Sequence, residues 1–245
     1  MLADAALVAG TGIADAFAKV PGQALCVLTE FGPMRGRLIT RSGLKLLLLQ
    51  RHSAGHKVPP HAVNYRAAAV GLKKLGIRWC ISSAAVGSLR TDWGAGTLVA
   101  CSDFSDISAR NLTLFDREVI HTDFSEPFSC KIGTALFQAG QRLGIPVQPQ
   151  GIYINGNGPR YETPHEIELM RSLGDVVGMT AASEAIVMRE AGVEYGCLAV
   201  VSNLAAGIGE GQLKHEDVVR AMHESGERAL AVMLAAAQTV IGGPS

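Results

Sequence analysis

Four consecutive leucines, Leu46 to Leu49, stand between Lys45 and Gln50 with no polar residue among them. A strand turns successive side chains to opposite faces, so a run without a polar member leaves no face for water. The segment is read as a buried strand that stops at Arg51-His52. Similar apolar runs recur at Ala6–Ala9, Trp79–Ser83, Thr97–Ala100, Gly151–Ile154 and Gly196–Ser202. Helical patterns lie between them. Asn64 to Leu75 has apolar residues at helical spacing, with Gly76 just past its end as a C-cap. Glu126 to Leu143 and Ser183 to Ala191 are two further helices. Thr163-Pro164-His165-Glu166 reads as a helix start, with a Thr cap, Pro at the first helical position and acids in the first turn. His215 to Ile241 is a long C-terminal helix with an apolar stripe. Ser102 to Asp123 reads mostly as loop. Strands bounded by Gly and separated by helices predict an α/β fold with mixed or mostly parallel strands. No internal repeat and no Pro-, Gly- or Ser-rich linker divides the 245 residues, so residues 1–245 are read as a single domain.

The balance of 22 basic against 22 acidic residues leaves no net charge, and no Lys/Arg cluster marks a nucleic-acid footprint. A small molecule is therefore a better ligand class than a polymer. No apolar run approaches 18 residues without Gly or a charge, so no membrane span is expected. The N-terminus lacks the pattern of a secretory signal, which favours the cytoplasm. Cys26, Cys80, Cys101, Cys130 and Cys197 are widely spaced and form no CxxC, and they are read as reduced thiols.

Arg51-His52 closes an apolar strand, where α/β folds collect their ligands. Arg forks onto oxyanions and His adds a donor; a solvated strand end with a salt bridge is the plainer reading. Gly10-Thr11-Gly12, after the first strand, brings backbone N–H groups and a hydroxyl toward an anion. It lacks Rossmann or Walker spacing, and an ordinary tight turn explains it as well. Ser82 to Ser88 is read as a strand running into a small-residue turn that can face a phosphate or a sugar. His52, His56 and His61 fit no tetrahedral metal site, and Pro59-Pro60 breaks any helix that would align them, so no metal is expected.

The richest chemistry lies in Asn157-Gly158-Pro159-Arg160-Tyr161-Glu162-Thr163, then Gly178-Met179-Thr180, then Val201-Ser202-Asn203. A flat heteroaromatic base needs a ring to stack on and a donor/acceptor pair for its edge. Glu162 can accept from a ring N–H, and Asn203 can both donate and accept. That pair fits a 6-oxopurine; Asp at position 203 would suit a 6-aminopurine instead. The plainer readings are a first-turn acid for Glu162, a cap for Asn203, core positions for Tyr161 and Met179, and an unliganded helix start for His215.

Taken together these blocks resemble the trimeric purine nucleoside phosphorylases and the related methylthioadenosine and methylthioinosine phosphorylases, over nearly the whole chain. The resemblance is carried by Arg51-His52 with Pro59 to Arg66, by Ala85-Val86-Gly87-Ser88-Leu89, by Gly158 to Thr163, and by Val177-Gly178-Met179-Thr180 with Glu184. It implies an α/β domain whose central mixed sheet is partly barrel-like and flanked by helices. It implies phosphorolysis of inosine or guanosine, with inorganic phosphate as co-substrate and no cofactor. Thr11, Arg51, His52, Thr180 and the backbone at Ala84 and Ala85 would hold phosphate. Tyr161 and Met179 would face base and ribose, Ala205 would line the substrate site, and His215 would meet the ribose 5′-hydroxyl. Asn203, Glu162 and His52 would carry the catalysis. His121 and Phe124 fall in a loop that reaches the neighbouring subunit in this typically homotrimeric family. Three positions depart from it: Ala84 where Ser, Thr or Asn is frequent, Ala181-Ala182-Ser183 before Glu184, and Ala9 in the first loop. The competing expectations are a methylthionucleoside phosphorylase, a water-using nucleosidase, and a nucleoside-binding relative without catalysis.

Overall fold

The computed structural model describes residues 2–10, 13, 20–53, 55, 57–209 and 215–242, with the backbone alone at 215–217 and 224. Its elements run β1 (Ala5–Ala9), β2 (Gln23–Thr29), β3 (Gly32–Arg41), β4 (Leu44–Gln50), α1 (Tyr65–Lys74), β5 (Trp79–Ser88), β6 (Leu98–Ala100), β7 (Asp103–Asp106), α2 (Cys130–Leu143), β8 (Val147–Gln148), β9 (Ile152–Asn155), α3 (Pro164–Met170), β10 (Val176–Gly178), α4 (Ala181–Ala191), β11 (Glu194–Leu204) and α5 (His215–Gly242).

The apolar runs are explained by cover on both faces. Along β4, Leu46 and Leu48 join one core while Leu47 and Leu49 join another. In β1, Leu7 takes the first side and Val8 the second. The first core is closed by α2 and α5, through Leu136, Met222 and Met233, and the second by α1 and α4, through Leu72 and Met188. The sheet is thus a middle layer between two helix pairs.

β5 organises the sheet. It pairs in parallel with β1 on one side and with β11 on the other, from Trp79–Glu194 to Ser88–Leu204. Near its end β10 replaces β1 and runs antiparallel to it. β10 pairs with β9, β9 with β7, and β11 with β6. The chain passes from β6 to β7 through Cys101 and Ser102, whose N–H groups donate to the carbonyls of Cys197 (2.9 Å) and Gly151 (3.0 Å). The strands β5, β11, β6–β7, β9 and β10 therefore form a ring, the barrel-like part of the mixed sheet. β2, β3 and β4 extend the open side as an antiparallel meander.

The helices α1, α2 and α4 end close to the expected places, with Gly76, Gly144 and Gly192 in the left-handed region after them. Four readings are corrected. Ala85 to Ser88 belong to β5, because β11 pairs along its full length. Ser102 to Asp123 holds a strand, β7, on the edge of β9. Gly196 to Ser202 is only the inner part of β11. Finally, α2 starts at Cys130 rather than Glu126, whose carboxylate instead accepts from the Cys130 N–H at 2.7 Å.

The start of α3 follows the sequence signal. Thr163 Oγ1 accepts from the Glu166 N–H (3.2 Å), and the Glu166 carboxylate accepts from the Thr163 N–H (2.7 Å). Arg160 grips the same carboxylate through two nitrogens at 2.8 Å. These hydrogen bonds, Arg160's foremost, pull the Glu166 carboxyl down to about 2. Thr163→Ala removes half of the box and is expected to cost about 1 kcal/mol. A thermal melt should then show the midpoint lowered by roughly 2–4 °C.

Candidate active site

The ends of β4, β5, β10 and β11 meet at a cavity of about 440 Å³. Arg51, His52, Ala84, Ala85, Tyr161, Glu162, Met179, Thr180, Asn203 and Ala205 all line it, although they come from five separate stretches of chain. Lys57, Val58, Pro59, Pro60, Ser202 and Val218 complete much of the wall. Thr11, His56 and the side chain of His215 lie outside the described residues. His121 is exposed and does not line the cavity; Phe124 packs edge-on against Phe104 of β7, centroids 6.4 Å apart. Among the described residues no group of three His, Cys, Asp or Glu side chains could hold a metal.

One end of the site is organised by a buried ion pair. Arg51 Nε and Nη2 donate to the two oxygens of Glu184 at 2.6 and 2.7 Å, and Nη1 donates to the Ser83 carbonyl at 2.9 Å. Both side chains are at least 96% buried. Burial works against the guanidinium charge, but the Glu184 carboxylate more than offsets it and holds Arg51 above its ordinary pKa. The Tyr195 hydroxyl donates to the same carboxylate at 2.6 Å and lies 2.6 Å from Ser82 Oγ. Burial pushes this phenol well above its usual range, so it keeps its proton.

Three of Arg51's five N–H bonds are engaged in this way. The other two sit on Nη1 and Nη2. Gly10 explains why a glycine follows β1: a Cβ there would lie 2.6 Å from Arg51 Nη1 and 2.8 Å from the Ser83 oxygen. Beside Arg51, His52 Nδ1 lies 2.8 Å from the Val58 carbonyl. A carbonyl only accepts, so Nδ1 carries the proton. Thr180 is the N-cap of α4, and its side chain makes no capping bond to the helix. Its own N–H and that of Ala181 are both held by the Tyr153 hydroxyl, at 3.2 and 3.4 Å. A guanidinium, an imidazole and a hydroxyl thus line one cavity, a set of donors suited to an oxyanion.

The other polar groups come from a bulge and a glycine-rich turn. The register between β11 and β5 shifts between Val201 and Asn203. In a regular strand neighbours face opposite ways; the bulge lets both Ser202 and Asn203 line the cavity. Ser202 Oγ donates to Asn203 Oδ1 at 2.6 Å, and Asn203 Nδ2 donates to the Leu204 carbonyl at 2.8 Å. Across the cavity wall, Glu162 rests against Gly156, where a Cβ would come within 2.7 Å of Oε1. Gly158 takes a φ of +63°, and a Cβ there would run into the Met179 sulfur. Burial, the leading cause, raises the Glu162 pKa above the ordinary 4.5. Tyr161 stands at the rim, 36% exposed.

Tyr195 and Val218 were not singled out in the sequence. Tyr195 is buried near the start of β11, where a phenol looks like any core aromatic. Val218 is one apolar member of a helix stripe that has many.

A profile of the phosphorylase superfamily matches residues 4–238. A 6-oxopurine nucleoside phosphorylase of Pyrococcus furiosus is 37% identical over 241 residues, covering 94% of this chain and 91% of that protein. A probable S-methyl-5′-thioinosine phosphorylase of Methanopyrus kandleri is 32% identical over 226 residues, covering 91% and 87%. The methylthioadenosine phosphorylase of Schistosoma mansoni, solved with adenine, superimposes with a TM-score of 0.91 at 26% identity, covering 98% of this chain and 92% of the other.

Removing Glu184 tests the buried pair. Glu184→Ala leaves Arg51 enclosed without its counter-charge and is expected to cost about 3–5 kcal/mol. Urea denaturation measures it, and an unchanged midpoint would mean that the cation finds another partner.

Proposed function

The chain belongs to the phosphorylase superfamily, and on that premise we propose that it splits 6-oxopurine nucleosides with inorganic phosphate, giving free base and ribose 1-phosphate. The reading rests on one observation: Arg51, His52 and Thr180 share a single cavity with Glu162 and Asn203. The first set suits a phosphate dianion, and the second suits the edge of a purine. The activity named for the 37%-identical relative supports the same choice.

The orientation of Asn203 favours oxygen at the purine 6-position. Its Oδ1 accepts from the Ser202 hydroxyl, which also lies 3.2 Å from the Val86 carbonyl, and one Nδ2–H is held by the Leu204 carbonyl. The remaining Nδ2–H is a donor. Both O6 and N7 of a 6-oxopurine can accept it, whereas a 6-aminopurine accepts it at N7 alone, because its 6-amino group offers only N–H bonds. Glu162, ionised, accepts from N1–H.

Cleavage of the glycosidic bond leaves positive charge on the ribosyl ring and negative charge on the purine. Asn203 stabilises the purine anion at N7 and O6. Phosphate, held by Arg51, His52, Thr180, the backbone at Ala84 and Ala85, and Thr11, stabilises the cation and then attacks C1′. A preorganised donor aimed at developing charge typically contributes about 3–4 kcal/mol, and holding both reactants in line lowers the entropic barrier further. No covalent enzyme intermediate, metal or cofactor is required. The reading extends to Met179 beneath the ribose, Tyr161 and Ala205 beside the nucleoside, and His215 at the 5′-hydroxyl. It includes a homotrimer in which His121 and Phe124 approach a neighbour's site, and a cytoplasmic location.

A second reading, phosphorolysis of 5′-methylthioinosine, draws on Val218. This buried apolar side chain lines the cavity from the first turn of α5, where a methylthio group would find it compatible. A panel of inosine, guanosine, adenosine and their 5′-methylthio analogues, each with and without phosphate, separates the two. Inosine and guanosine are expected to turn over only with phosphate; turnover in water alone would identify a nucleosidase, and binding without turnover a non-catalytic relative. Asn203→Asp is expected to lower kcat/KM on inosine roughly 100-fold while raising activity on adenosine.

The raised pKa of Glu162 gives a pH signature. Its ionised form is the acceptor, so inosine affinity should fall as pH drops toward that pKa, sooner than an ordinary carboxylate would allow. An acid whose folded pKa lies above its unfolded value costs stability above that pKa, and the cost is relieved as pH falls through it. Glu162→Gln is therefore expected to raise the melting midpoint at pH 7 while weakening inosine binding. A variant with a lower midpoint and intact affinity would remove Glu162 from the site.

A further inference from the structure

Arg110 lies in the loop after β7 and does not line the cavity, yet its hydrogen bonds reach three of the segments that form its wall. Nε donates to Asn157 Oδ1 at 3.0 Å, and Nη2 donates to the Asn157 carbonyl. Nη1 donates to the Met179 carbonyl at 2.9 Å and to Ser183 Oγ at 2.8 Å, with the Tyr65 hydroxyl 3.3 Å away. Tyr65 in turn donates to the Pro60 carbonyl at 2.6 Å, and the guanidinium stands 5.7 Å from its ring centroid.

Each anchor leads to a different side of the cavity. Asn157 begins the turn that carries Glu162. Met179 belongs to the segment between β10 and α4. Pro60 stands on the wall that follows Arg51-His52. The loop that delivers Arg110 is itself held in an unfavourable shape: Ala109, with a φ of +55°, occupies the left-handed region that non-glycine residues avoid. The Ser108 N–H on the Asp106 carboxylate (2.9 Å) and the Arg110 N–H on Ser108 Oγ (3.3 Å) hold it there. Such conformations persist where the surroundings over-determine them.

Arg110 also touches the oxyanion end through Ser183 in the first turn of α4, but that end has further anchors of its own. Arg51 is set by Glu184 and Ser83, and the start of α4 is set by Tyr153. We infer that Arg110 is a positioning residue that fixes the width of the slot between the Glu162 turn and the Met179 segment, and so governs nucleoside affinity separately from phosphate affinity. The inference rests on the function proposed above for this cavity.

The test is calorimetric affinity for inosine and for inorganic phosphate, measured separately on the wild-type chain, Arg110→Met and Arg110→Lys, with melting midpoints alongside. Arg110→Met is expected to weaken inosine about ten-fold or more, the scale at which small misplacements act on a preorganised site, while phosphate affinity stays within about two-fold. Arg110→Lys, which keeps the charge and part of the bonding, should recover some of the loss; it decides the matter alone if the Met variant does not fold. Equal weakening of both ligands, or unchanged inosine affinity with or without a lower midpoint, would overturn the inference. Wild-type protein that binds inosine without turning it over would sink the proposed reaction and leave Arg110 standing. Failure to bind inosine at all would sink both.

Discussion

The pairing of Arg51 with Glu184 is the interaction on which the rest of the site depends. Taking two charges out of water is costly, and a guanidinium or carboxylate left alone in this interior would not be tolerated. The fold meets the requirement by bringing four elements to one point. The end of β4 supplies Arg51, α4 supplies Glu184, β11 supplies the Tyr195 hydroxyl, and β5 supplies the Ser83 carbonyl. Gly10, at the end of β1, gives way to the guanidinium. A pair built so closely into the sheet has little freedom to move. Preorganisation of that kind is what an oxyanion site requires, because donors already in place need not reorganise when charge arrives.

The polar groups proposed to face the base follow a different logic. Asn203 and Ser202 come from a register shift in an otherwise regular strand, and Glu162 comes from a turn just before a helix. The Glu162 carboxylate is partly buried and titrates high. The site keeps a desolvated acid that packing alone would reject, a pattern frequent where stability is exchanged for function. Close approach is made possible by three glycines. Gly156 leaves room for Glu162, Gly158 for Met179, and Gly178 for the Tyr153 hydroxyl that secures the start of α4.

How much of this was legible in the sequence depended on how local the cause was. β1, β4 and β11 were visible because strands covered on both faces must be apolar throughout. The α3 start was visible because a capping box is written in four adjacent residues. The hairpin of β2 and β3 was not read: β2 is an edge strand whose outer side chains, such as Leu28 at 76% exposure, break any inside–outside rule. The strands β7 and β10, of four and three residues, were too short for a period to register. The site divides in the same way. Arg51, Glu162 and Asn203 carry functional groups whose types announce their chemistry. Ser202 needed the bulge, Tyr195 needed the ion pair, and Arg110 needed the meeting of three distant segments. None of those is a property of neighbouring residues.

The bulge shows why residue type alone would not have settled the orientation of the base reader. A carboxamide offers an acceptor and a donor, and either could be turned toward a ligand. Had β11 continued without interruption, Ser202 would face away from the cavity, and Asn203 Oδ1 would be as available as Nδ2. One extra residue in the strand brings the hydroxyl beside Oδ1, occupies it at 2.6 Å, and turns the donor outward. The proposed preference for an acceptor at the purine 6-position thus rests on backbone register expressed through a serine. A change at position 202 that removed the hydroxyl would loosen that preference even with Asn203 intact.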